Sequence, residues 1–75
     1  MTAAVEVRAL YRAVQRYVRL MEPHTRSYYG DFARQHFGAH LSETNPERIQ
    51  MLLEKGRTNV RWVLAKYSIQ EKYPL

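Results

Sequence analysis

No cysteine occurs in the 75 residues, so neither a disulfide framework nor a thiolate zinc site is available. The absence fits a reducing compartment. Acid is scarce: seven Asp and Glu stand against twelve Lys and Arg, a formal net charge of +5. Such a balance favours an acidic partner, whether nucleic acid, an anionic membrane or an acidic protein. No apolar run approaches the roughly 20 residues needed to cross a bilayer, so no membrane span is expected. No apolar segment precedes a small-residue cleavage site, which speaks against secretion. Only three glycines and three prolines punctuate the chain. There is no repeat, linker or low-complexity stretch. A chain of this length allows one domain, residues 1–75, whose small core is marginal without a staple or a partner.

What is present is helical. Val7, Leu10, Tyr11, Val14, Val18 and Met21 recur at three- and four-residue spacing, the signature of an apolar helix stripe. Arg8, Arg12, Arg16 and Arg19 recur at the same spacing on another side. On a helix of about 3.6 residues per turn they fall within roughly a quarter of the circumference. This first helix is expected from about Ala3 to Met21, stopped by Pro23, because the residue before a proline avoids the α region. Its richness in Arg and poverty in acid also match mitochondrial targeting segments. Its apolar stripe, however, continues the core pattern of the other helices.

A second helix is expected from about Thr25 to Phe37, with Tyr28, Tyr29, Phe32, Ala33 and Phe37 giving an aromatic inner side and Gly38 ending it. After a loop of residues 39–44, Asn45 is placed to cap a third helix with Pro46 at its first position and Glu47 at the positive end of the dipole. Thr44 with Glu47 offers an alternative capping box. Ile49, Leu52, Leu53, Gly56, Val60, Val63, Leu64 and Tyr67 then hold one face for about five turns. Nothing reads as a strand, and the fold class is an all-α three-helix bundle. Gly56 in the middle of an apolar face costs about 1 kcal/mol against alanine. Close helix packing explains it, and so does room for something long and apolar at the seam.

Catalytic signals are poor. A catalytic site needs a base or nucleophile with an orienting partner inside a cleft, and no acidic pair or serine stands in such a context. His36 and His40 at i, i+4 can share a face, yet no Glu or Cys accompanies them as in a zincin arrangement. The reading is therefore no enzyme and no metal site. Three helices and a basic charge also describe nucleic-acid readers, the alternative reading of this chain. Against it, the densest arginine stripe lies on the first helix, and the expected short turn before a recognition helix is a loop of about six residues. Contact with ribosomal RNA through the basic flanks stays open. An amphipathic membrane-surface helix would need the stripe of helix 1 to be free. Three complementary stripes imply a mutual core instead. What remains is a protein-binding adaptor, in which arginines pair with carboxylates or phosphates and Tyr11 sits at the edge between apolar and basic faces.

Leu10-Tyr11-Arg12 early in helix 1, followed by Arg34-Gln35-His36-Phe37 late in helix 2, resembles the LYR-motif (complex 1 LYR-like) family. Asn45-Pro46-Glu47-Arg48-Ile49-Gln50 and Trp62-Val63-Leu64-Ala65-Lys66-Tyr67 extend the resemblance to most of the chain. It implies a small three-helix protein of the mitochondrial matrix that binds the acylated mitochondrial acyl carrier protein. The carrier's acidic surface would meet basic residues, and its acyl-4'-phosphopantetheine would deliver a fatty chain into the helical core. The chain itself would hold no cofactor. Tyr11 and Arg12 are the motif positions, and Arg34 and Phe37 match the downstream pattern. Helix geometry adds Arg8 and Arg16 to the carrier-facing set. The apolar faces add Leu10, Val14, Leu53, Gly56 and Val60 as the wall of an acyl channel. Family members serve as accessory subunits or assembly factors of respiratory complexes, iron–sulfur machinery or the large subunit of the mitochondrial ribosome. The residues do not choose among these clients.

Overall fold

The computed structural model describes residues 3–40 and 42–75. Leu41, inside the expected loop, lies outside them. Three helices, α1 (Ala3–Arg19), α2 (Pro23–Ala39) and α3 (Pro46–Lys66), account for the architecture. No strand occurs among the described residues, and the fold is all-α.

The first helix ends earlier than expected. Leu20 and Met21 donate backbone N–H groups to Tyr17 and Val18 carbonyls at 3.0 and 3.1 Å, a tightened last turn rather than further α-helix. Arg26 Nη2 donates to the Met21 carbonyl at 3.1 Å and closes that end. Glu22 is extended (φ −63°, ψ 154°) and Pro23 opens α2 at its first position. The proline therefore begins a helix instead of only stopping one: at that position it has no N–H to satisfy and its φ is already helical. Gly38 does not end α2, which runs on to Ala39. No glycine among the described residues adopts a positive φ.

The cap of α3 forms as the residues suggest. Asn45 Oδ1 accepts from the Glu47 and Arg48 N–H groups at 2.9 and 3.4 Å. The N-cap is thus Asn45 and not Thr44, and the preceding Glu43 braces it: its carboxylate accepts from the Asn45 N–H at 3.2 Å and pairs with Arg48 Nε at 2.9 Å. At the other end Ser68 takes a left-handed conformation (φ 56°). The Ile69 N–H reaches the Leu64 carbonyl at 2.9 Å and the Ser68 N–H reaches that of Ala65 at 3.2 Å. These two bonds make a Schellman cap, with serine where glycine is usual.

The cap turns the remaining residues back toward α1. Tyr17 is 1% exposed. Its hydroxyl donates to the Tyr73 carbonyl and accepts from the Tyr73 N–H, both at 2.6 Å. Arg57 Nε donates to the Leu75 carbonyl at 2.6 Å, and Arg61 pairs with Glu71 at 3.5 Å.

Among the described residues α1 supplies four of the eight buried apolar side chains, Leu10, Ala13, Tyr17 and Val18; Met21 just beyond its end, Ala33, Leu53 and Leu64 complete them. It packs against both α2 and α3, whose own backbones do not approach each other. The order is up–down–up: Phe37 meets Tyr11, whereas Gln50 meets Glu6. The aromatic side of α2 is consequently not a buried one. Tyr28 and Phe32 are 61% and 44% exposed, because no helix covers them.

Candidate functional site

The separation of α2 from α3 leaves a groove of about 710 Å³ with α1 as its floor. Val7 and Val14, two turns apart on the helix, and Met21 just beyond its end form the floor. Tyr28, Phe32 and Ala33 border it from α2, and Leu52, Val60 and Val63 from α3. Trp62, 64% exposed, stands on the α3 rim with Lys66 Nζ 5.6 Å from its ring centre. No buried side-chain nitrogen or oxygen among the described residues lacks a hydrogen-bond partner. Most of the side chains that line the groove are apolar, a surface suited to hydrocarbon.

Its two ends differ. Arg8, His36, His40 and Glu43 gather at the end that holds the start of α1 and the end of α2. At the opposite end the rings of Tyr29 and Tyr67 meet, 5.9 Å apart at 79°. Burial first, and then the adjoining side chain of Tyr67, hold the Tyr29 phenol above its ordinary value. Among the described residues no three His, Cys, Asp or Glu side chains converge on a metal position.

The five residues assigned to a channel wall, Leu10, Val14, Leu53, Gly56 and Val60, all border this groove. Gly56 answers the question its sequence position raised. A Cβ there would lie 3.4 Å from Leu10 Cδ2, an ordinary contact. The α1–α3 crossing is close, yet it leaves space for one methyl group. Gly56→Ala is expected to stabilise the fold by about 1 kcal/mol through helix propensity, raising Tm by roughly 4–8 °C. A thermal melt checks this, and a lowered Tm would show that the crossing needs glycine.

The six residues assigned to a carrier surface divide into groups. Tyr11 and Phe37, both half-buried, pack ring on ring at 4.8 Å and pin the start of α1 to the end of α2. Arg12 and Arg34 are exposed beside this pair, Arg34 in an ion pair with Asp31. Arg8 is exposed and also borders the groove mouth. Arg16 departs from the set: its guanidinium lies 5.5 Å over the Tyr73 ring and belongs to the returning tail. Arg19 stands closer to the rest. It shares with Arg34, Tyr11 and Gln15 a shallow depression of about 150 Å³ along the α1–α2 seam. Only the handedness of the α1–α2 packing distinguishes Arg19 from Arg16, and a one-helix reading of spacing does not contain it.

The comparisons with known proteins follow the same residues. The family model described as Complex 1 protein (LYR family) matches residues 5–62. An LYR motif-containing protein of Physcomitrium patens is 35% identical over 60 residues, covering 80% of this chain and 91% of that protein. LYR motif-containing protein 9 of Branchiostoma floridae is 36% identical over 59 residues, covering 79% of this chain and 76% of its own. An Arabidopsis thaliana LYR motif-containing protein is 34% identical over 67 residues, 88% of this chain and 83% of that one. No solved structure matches. With its tripeptide packed against Phe37 through Tyr11, and the family model spanning α1, α2 and most of α3, the chain belongs to the LYR family of complex 1 proteins.

Proposed function

We propose that the protein is a non-catalytic mitochondrial adaptor that binds the acylated acyl carrier protein of the matrix. It would act as an assembly factor or accessory subunit of a respiratory complex, of iron–sulfur machinery or of the mitochondrial ribosome. The observation that carries the reading is the apolar groove over α1 with a polar, partly basic mouth. An acidic carrier docked on Arg8, Arg12 and Arg34, beside the Tyr11–Phe37 pair, would stand at that mouth. The exposed guanidinium groups would orient it by paired hydrogen bonds to carboxylates. The acyl-phosphopantetheine group belongs to the carrier and supplies the hydrocarbon. This chain's contribution is to exclude water from it. Each methylene so buried contributes about 0.8 kcal/mol, and a ligand that binds only the folded state stabilises that state. For a domain with so small a core, the guest becomes part of the fold.

Native mass spectrometry of the protein produced together with an acyl carrier protein tests the reading. The expected species is a one-to-one complex whose mass includes phosphopantetheine and an acyl chain. A lone monomer with a sharp thermal transition, indifferent to the carrier, would refute it. Sequence-selective binding to a DNA or RNA duplex would favour the nucleic-acid module instead.

A further inference from the structure

We infer that the ring pair of Tyr29 and Tyr67 is the stop that sets how long an acyl chain the groove accepts. The inference rests on the acyl-carrier reading above and adds the chain-length class to it. It starts from the asymmetry of the groove. Charged and polar groups gather at one end, where Arg8, His40 and Glu43 stand. A chain tethered to a polar carrier enters there and points its methyl end the other way. At that far end the two tyrosine rings, 5.9 Å apart and nearly perpendicular, bridge helices whose backbones stay apart. Tyr29 borders the groove, and the Tyr67 ring backs it. The bridge is therefore a wall across the hydrocarbon path.

The floor fixes the length class. From Val7 to the helix end at Arg19 the floor rises about 1.5 Å per residue, or roughly 18 Å, and Met21 extends it. Carbon–carbon bonds of about 1.5 Å make this the span of a long-chain rather than a short-chain acyl group. A chain that stops short of the rings forfeits about a fourfold preference for each methylene left unburied. A chain that is too long must bend back or displace a ring. The rim residues Tyr28 and Trp62 do not provide such a wall, since both are mostly exposed and flank the groove instead of crossing it.

The test compares wild type, Tyr29→Phe, Tyr29→Ala and Tyr67→Leu, each produced with the acyl carrier protein. The acyl groups released from each purified complex are weighed by mass spectrometry. Wild type and Tyr29→Phe are expected to carry the same narrow distribution, because the ring and not the hydroxyl blocks the path. Tyr29→Ala is expected to shift it upward by about two carbons or more, each added methylene regaining its fourfold term. Tyr67→Leu removes the other half of the bridge at a more exposed position. It is expected to shift the distribution in the same direction, and it carries the test if Tyr29→Ala does not fold. An unchanged distribution in complexes of Tyr29→Ala and Tyr67→Leu would overturn the stop while leaving carrier binding intact. A shift in Tyr29→Phe as large as that in Tyr29→Ala would overturn the ring as its cause. If wild type binds no acylated carrier, the underlying reading falls and this inference with it.

Discussion

The double variant Arg12→Glu, Arg34→Glu is expected to lose the acyl carrier protein while keeping its helix content and Tm. Both side chains are exposed, so neither supports the core. The Arg34–Asp31 pair that is sacrificed is exposed on both sides and spaced i, i+3. Such pairs contribute a few tenths of a kcal/mol. Binding is different. Each arginine removed from a charge-assisted contact costs on the order of 1.5–3 kcal/mol, and the new carboxylates repel an acidic partner. Together the two reversals should weaken the complex by roughly a hundredfold or more. Titration by calorimetry at two salt concentrations checks this, because the wild-type affinity should fall as salt screens the contact. Arg16→Glu is the internal control. Its guanidinium lies over Tyr73, away from the seam that Arg34 shares, so its effect on carrier affinity should be several-fold smaller. Equal losses from Arg16→Glu and Arg12→Glu would mean that the carrier covers the whole ridge, tail included.

That contrast marks where spacing ceases to inform. The helix stripes were legible because amphipathic periodicity is a local property, and the Asn45–Pro46 start because its cap closes within three residues. Pro23 was ambiguous for a physical reason: proline both forbids helix before it and favours the first position of a helix after it. The Tyr28 and Phe32 positions read as core because an apolar face in sequence carries no record of whether a neighbour covers it. Here α2 and α3 stay apart, and the same stripe becomes the wall of a groove. Leu10, Val14, Leu53, Gly56 and Val60 could be named beforehand because groove and core share one apolar face. The far end of that groove could not, since it depends on Tyr29 and Tyr67 meeting across two helices. Nor could the returning tail. Its turn uses a serine in the left-handed region, where the recognisable residue is glycine, and its anchor joins residues 56 positions apart.

The anchor gives the largest stability effect. Tyr17→Ala is expected to leave the isolated protein largely unfolded. Tyr17 is the most completely buried large side chain of the described residues. Truncating such an aromatic costs roughly 3–5 kcal/mol, about the whole contribution a core this small supplies. Tyr17→Phe separates packing from hydrogen bonding. It keeps the ring, which meets Tyr73 edge-on at 5.0 Å, and removes the hydroxyl that both donates to and accepts from the Tyr73 backbone. Leaving that N–H and carbonyl unpaired beside the core costs about 1–3 kcal/mol, a fall in Tm of at least several degrees at roughly 4–8 °C per kcal/mol. Tyr73→Ala retains the backbone groups and removes the ring that packs on Tyr17 and Arg16. The two losses share one contact, so the double variant should be less destabilised than their sum. Strict additivity in urea melts would show that the tail is a passive covering. A shortfall from additivity would establish it as a strap that closes the bundle on the side α2 does not reach. Acyl-carrier binding to Tyr17→Phe should then recover much of the lost Tm, because the guest hydrocarbon stabilises only the folded form.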